Sequence, residues 1–287
     1  MENSYFKNLS NLLLATLFIS TSGVLGKYIA MPSEVIIWFR SAIAMIFLYG
    51  FCRYKKISIK VPNFKHHVPL LISSLFMATH WITYFYALKL SNVALGMLSL
   101  YTFPIITALL EPLFFKSKIN FIHIILGGVV FIGVFILAPE FNLESSNVKG
   151  ILFGLFSALC YSIRLLILKQ HVNQYHGSML MLYQTSVITI ILIPVLFFMD
   201  VSNFQSQFPY LLVLAILTTA IGHSVMVHSL KFFSTTTATI ISSIQPVFGI
   251  VIAFFVVNEV PEINTIWGGL LIISTVLIET LRIKKRR

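Results

Sequence analysis

Ten apolar runs, each about 17–24 residues long and parted only by short polar links, leave this chain few folds to choose from. A helix of about 20 apolar residues is what crosses a hydrocarbon core, where every backbone polar group must find its partner inside the segment. The runs cover residues 9–29, 34–52, 68–88, 92–115, 120–138, 149–169, 178–199, 208–230, 234–257 and 262–281. Turn chemistry or charge separates them, as at Met31-Pro32-Ser33 and Lys116-Ser117-Lys118. Only 10% of the residues are charged, against roughly 25% in a soluble domain, and mean hydropathy is +0.91. The first run is long enough to span and carries no small-x-small site at its end, so it reads as a membrane helix and not as a cleaved leader.

The chain also repeats itself. Leu88-Lys89, Pro104 and Gly127 recur as Leu230-Lys231, Pro246 and Gly269, each pair 142 positions apart. Two units follow, residues 1–145 and 146–287, with five runs in each. An odd number of crossings turns the second copy over relative to the first. The expected fold is therefore an all-α membrane protein of ten transmembrane helices, built as two inverted five-helix repeats around a central cavity.

Charge sets the expected orientation. With both termini in the cytoplasm, fifteen of the 20 basic residues lie inside, while Lys27, Lys89 and Lys149 lie outside and Arg40 and Arg164 lie within spans. The positive-inside rule selects that arrangement for a multi-pass protein of the cell membrane. The net charge of +11 is thus a topology signal, and the links are too short to hold a nucleic-acid-binding module. The basic tail over residues 282–287 is expected to touch anionic lipid. Cys52 and Cys160 have neither metal nor redox spacing and read as packing residues.

Particular landmarks carry a family resemblance. In the first half these are Ala87-Leu88-Lys89, Tyr101-Thr102-Phe103-Pro104 and Glu111-Pro112; in the second, Ser229-Leu230-Lys231, Gln245-Pro246, Asn258-Glu259 and Trp267-Gly268-Gly269. With ten runs in two sets of five, the chain resembles the drug/metabolite transporter superfamily in its EamA type, over nearly its whole length. The resemblance implies movement of small organic solutes such as amino acids, nucleotide sugars, drugs or other metabolites, many such proteins being exporters. It also implies an acidic residue where the fourth helix of each repeat ends. Glu259 fits in the second half, whereas its counterpart 142 positions earlier is Ser117.

Polar residues inside apolar runs are the candidate site. An ionisable side chain at membrane depth costs about 2.5–3.5 kcal/mol on insertion scales, so it should face a cavity or a partner. Ser157, Tyr161 and Arg164 form one stripe, with Arg164 either a clamp for a carboxylate or phosphate or a snorkelling structural cation. Arg40 beside Trp38 reads equally as a site residue or an interfacial anchor. Glu111 could carry a proton, pair with an arginine, or steady the bend at Pro112. His80, Trp81 and Tyr84 on the third run, and Tyr101 and Gln245 beside the paired Pro104 and Pro246, suit a solute with a flat or apolar body and a polar head; plain aromatic packing is the alternative. His223 could titrate or simply be hydrogen-bonded, and Tyr183-Gln184 could reach the same cavity.

Three function classes remain. A secondary transporter, driven without ATP and needing no cofactor, agrees with the absence of any Gly-x-x-x-x-Gly-Lys-[Ser/Thr] loop. An integral-membrane enzyme would need a catalytic constellation, and no His-Glu-x-x-His, paired carboxylates or nucleophile elbow occurs. A sensor or assembly subunit is the third class. The transporter reading, with export of amino acids or related amphipathic solutes, is the expectation carried forward, and a homodimer is compatible with it.

Overall fold

The computed structural model of the chain describes residues 2–116, 121–137 and 142–285. The side chains over 282–285 and all of residues 286–287 fall outside that description, and so does Ser117; the lipid contact expected of the basic tail therefore lies outside the described residues. Among the described residues there is no strand. Eight helical stretches of 22–27 residues are long and apolar enough to cross a membrane, and two shorter apolar helices span Ile124–Ile136 and Ile263–Thr275.

The helices are α1 (Glu2–Tyr28), α2 (Ser33–Tyr54), α3 (His67–Leu90), α4 (Val93–Leu100), α5 (Phe103–Phe115), α6 (Phe121–Leu137) and α7 (Ser146–Lys169). After them come α8 (Gly177–Ile191), α9 (Val195–Phe198), α10 (Phe204–Val213), a π-helical segment (Leu214–His223), α11 (Ser224–Ser229), α12 (Thr235–Ser242), α13 (Gln245–Val256) and α14 (Ile263–Lys285). The fourth and ninth apolar runs are each broken at the same register. Pro104 and Pro246 sit at the first turns of α5 and α13, where a missing N–H removes no helical bond, and the preceding turns end α4 and α12.

α3 and α7 form the spine. They run antiparallel, with Gly150 against Ala87 and Ser91, Ser157 against His80, and His171 beyond α7 against His66 before α3. A Cβ on Gly150 would lie 2.8 Å from the Ser91 side chain and 3.0 Å from Ala87 O, so only glycine permits this approach. α1 packs on the π segment and on α13, α2 on α8, and α6 on α14. Large apolar side chains such as Ile124, Phe131, Phe254 and Phe255 point outward, while Thr16, Ser41, Ser73, Ser99 and Thr185 are buried. Polar inside and apolar outside is the arrangement a lipid solvent selects.

The 142-residue spacing governs local structure as well as sequence. Lys27 Nζ donates to Leu88 O at 3.0 Å and Ser91 O at 2.6 Å, and Lys169 Nζ donates to Leu230 O at 2.5 Å and Phe233 O at 2.9 Å. Each ammonium group satisfies carbonyls that a helix end leaves without donors. Leu95 N donates to Asn92 Oδ1 to start α4, and Thr237 N donates to Ser234 Oγ to start α12. Lys116 and Asn258 both adopt the left-handed region, at φ 51° and 54°.

Candidate functional site

Where α1, α3, α5, α7, the π segment and α13 meet, nine polar and aromatic residues converge. His80, Trp81, Tyr84, Tyr101, Tyr161, His223 and Gln245, with Ser22 and Phe103, line a nearly filled cavity of about 20 Å³. That is room for about one water molecule. Local helix geometry explains the gathering: His80 and Tyr84 lie one turn apart on α3, and their rings stack parallel at 6.2 Å, with Tyr161 of α7 over His80 at 4.4 Å. Ser157 Oγ donates to His80 O at 2.8 Å and lies 2.8 Å from His80 Nδ1. Since the hydroxyl proton is already committed, Nδ1 is the donor in the second contact, leaving Nε2 of that ring as an acceptor.

Two arginines flank the cluster, and both are fully buried. Arg40 lies with its guanidinium carbon 4.0 Å from the centre of the Trp81 ring, a cation–π contact. Its Nε donates to Thr219 Oγ1 at 2.5 Å, Nη2 to Thr218 Oγ1 at 3.2 Å and Nη1 to Ser22 Oγ at 3.4 Å. The wide π winding brings the consecutive threonines Thr218 and Thr219 to one guanidinium, and both hydroxyls also donate back to Leu214 O. Arg164 lies beside Tyr161, donates from Nε and Nη2 to Gln184 Oε1 at 3.2 and 2.7 Å, and directs Nη2 to Met181 Sδ at 3.0 Å. Gln184 in turn donates to Ser73 Oγ, tying α7 to α8 and α3.

Among the described residues, every polar partner of the two guanidinium groups is a hydroxyl, a carboxamide or a thioether; none is a carboxylate. Arg164 Nη1, Trp81 Nε1 and His223 Nδ1 are buried and have no hydrogen-bond partner among the described residues. Buried polar groups are ordinarily paired, so three unpartnered atoms gathered here set this region apart from the rest of the interior.

Arg40, His80, Trp81, Tyr84, Tyr101, Tyr161, Arg164, Gln184, His223 and Gln245 are thus brought together. Glu111 and Tyr183 are not. Glu111 accepts a short hydrogen bond from Thr236 Oγ1, and so joins α5 to the start of α12. Tyr183 turns the other way from Gln184, into an apolar groove of about 510 Å³ between α2 and α8, and lies 3.5 Å from His67 O. Glu259, the acidic residue near the end of α13, accepts from Val93 N at 2.7 Å and so caps the start of α4. Sequence reasoning missed Ser22, Phe103 and Thr218. Ser22 had a signal, since it stands 142 positions before Arg164; Thr218 had none, because helical spacing places it a quarter-turn from Thr219.

Comparison with known proteins gives a family and a fold. The model of the EamA-like transporter family matches twice, over residues 7–138 and 148–280. The pseudopaline exporter CntI of Pseudomonas aeruginosa is 26% identical over 92% of this chain and 93% of its own. An S-adenosylmethionine uptake transporter of Rickettsia conorii is 24% identical over 96% of this chain and 92% of its own. The uncharacterized transporter YxxF of Bacillus subtilis is 23% identical over 94% and 88%. One solved crystal structure shares the fold at a TM-score of 0.73 and 17% identity, over 98% of this chain and 99% of that one.

Proposed function

Because this chain belongs to the EamA-like transporter family, a multi-pass membrane family whose named relatives are transporters, we propose that it is a secondary transporter exporting small organic metabolites that carry a carboxylate on a flat or apolar body. Amino acids and related amphipathic solutes are the proposed class. The observation that carries this reading is the pair of buried arginines, Arg40 and Arg164, with no carboxylate partner among the described residues, beside an aromatic and imidazole-lined cavity. A bound carboxylate would offset the cost of burying those charges, and the rings would take the solute body. Phosphorylated sugars fit less well, since a dianion calls for clustered cations.

Ten crossings in two inverted units, residues 1–145 and 146–287, are part of the proposal, with both termini in the cytoplasm and the protein in the cell membrane. Its support is internal. The family model fits each half separately. The packing of α3 on α7 is matched by that of the π segment on α1, and α2 on the π segment by α8 on α3. The lysine caps at Lys27 and Lys169 stand at the two ends of α3, whose 24 residues make about 36 Å of helix, the scale of a bilayer. In such an arrangement each side of the membrane reaches the central pocket in turn. No catalysis is proposed.

Counterflow in proteoliposomes tests the reading. Radiolabelled amino acids should exchange across the bilayer, while their amides, which lack the carboxylate, should not compete. Since the relatives include both an exporter and an uptake transporter, the same vesicles, loaded from either side, decide direction. Absence of flux for every carboxylate-bearing solute, or equal competition by the amides, would overturn the proposal.

A further inference from the structure

A second polar cavity, of about 230 Å³, opens at the end of the bundle where α1 begins. Its polar wall comprises the carboxamides of Asn8 and Asn11, the imidazoles of His176 and His228, and the hydroxyls of Ser178 and Ser224. Phe51 and Phe232 supply an apolar side, and no acidic side chain lines the cavity among the described residues. Ser224 is 4% exposed, and its Oγ has no hydrogen-bond partner among the described residues. His176 Nδ1 accepts from Ser178 N at 3.2 Å, so the neutral ring carries its proton on Nε2 and has a donor to offer. The same ring caps the first turn of α8, a 15-residue helix whose N-terminal amides bear partial positive charge. Lys231 adds a positive charge that acts on both imidazoles.

The backbone beside the cavity is held. A Cβ on Gly177 would lie 2.6 Å from Ser224 O and 2.7 Å from His228 N, so α8 and α11 are in direct backbone contact there. Moreover, the positions related to this wall by 142 residues are paired with one another. Glu34, Tyr86 and Phe153 stand 142 positions from His176, His228 and Asn11. Tyr86 Oη donates to Glu34 Oε1 at 2.5 Å, and the Tyr86 ring stacks on Phe153 at 5.5 Å. The wall of this cavity carries donors and open space where the positions related to it by 142 residues carry a bonded Glu34–Tyr86 pair and a stacked ring.

We propose that this cavity is a binding site for the carboxylate of an organic anion with an apolar body, distinct from the central pocket, with Ser224 Oγ, His176 Nε2 and the first turn of α8 as its donors. In the orientation proposed above it faces the cytoplasm and would receive a solute before transport. The inference rests on the transport reading for its physiological ligand, but binding is measured without flux, so either can fail while the other stands.

The test uses the full chain in nanodiscs, titrated with phenylacetate and, separately, with phenethylamine, which has the same body and the opposite charge. Phenylacetate should bind saturably by calorimetry and phenethylamine should not. Ser224→Ala deletes an unpartnered hydroxyl and should leave the melting curve unchanged while weakening phenylacetate about tenfold, the loss of one hydrogen bond to a charged group. Asn11→Phe copies Phe153 into an exposed position, fills the cavity and should abolish binding. No binding by the parent chain, equal or tighter binding of the amine, or unchanged affinity in both variants would overturn the proposal. The last of these would place any bound phenylacetate elsewhere.

Discussion

Replacing Lys169 with methionine, and Lys27 likewise, should each cost stability by a similar amount. Lys169 Nζ reaches Leu230 O and Phe233 O at 2.5 and 2.9 Å, and Lys27 Nζ reaches Leu88 O and Ser91 O at 3.0 and 2.6 Å. A hydrogen bond to a charged group contributes about 1.5–3 kcal/mol, and a cation at a helix C-terminus about 0.3–1 kcal/mol more. Both ammonium groups are only part-buried, so water takes over some of the exposed carbonyl surface once they are gone, and part of the desolvation cost of the charge is recovered. The expected loss is about 2–4 kcal/mol at each site. Methionine keeps the apolar stem, so the loss reports the charge and its bonds and not the packing. The two sites lie at opposite ends of α3, too far apart to couple, and the double variant should lose the sum. Reversible unfolding in mixed micelles titrated with dodecyl sulfate, followed by helical circular dichroism, reads the difference. Either single variant within about 0.5 kcal/mol of the parent, or a double variant no worse than the singles, would refute the account of matched helix caps.

Other outcomes follow from the same geometry. Arg164→Ala and Trp81→Ala should lower counterflow at least about tenfold, one anion contact or one ring platform being removed, with expression retained; wild-type flux would remove both from the pocket. Lys116→Asn copies Asn258 into the same left-handed backbone and should stabilise by about 0.5–1 kcal/mol, read by the same unfolding assay. Gly177→Val places a branched side chain against the backbone of Ser224 and His228 and should abolish folded monodisperse protein in size-exclusion chromatography. Burial, then the charge of Lys231, holds the His176 imidazole below its ordinary value of 6.5. The folded state therefore binds that proton less well than the unfolded chain, and stability present above pH 6.5 is lost as pH falls below it; His176→Gln should flatten that slope.

The residues divide by how far apart their partners lie along the chain. The break before Pro104 and Pro246 is a local event, set by the proline ring, and it appears where the sequence points to it. The stripe of Ser157, Tyr161 and Arg164 is also local, being helical spacing, and all three are buried on α7. Spacing alone could not choose between adjacent residues. Tyr183 and Gln184 differ by about 100° around α8, and only packing against α7 and α3 decides that Gln184 faces Arg164 while Tyr183 faces the groove. For Arg40 the sequence offers an interfacial anchor and a site residue equally, and the three bonded hydroxyls and the Trp81 ring are partners that only packing supplies. The depth of Glu111 in its run is visible in sequence, whereas a partner such as Thr236, 125 positions on, is not.

Membrane-spanning helices, the doubling at 142 positions and membership of the EamA-like family were determined by the sequence alone, because each depends on sums and spacings along the chain. Hydropathy over about 20 residues needs no knowledge of neighbours in space. Only the tertiary structure decided which polar faces meet. The contact of Arg40 with Thr219 joins residues 179 positions apart, and its worth depends on burial, on the π winding that presents two threonines together, and on the absence of a carboxylate among its partners. Those are properties of an assembled interior, where a charge loses its water and must take whatever partners the packing brings to it.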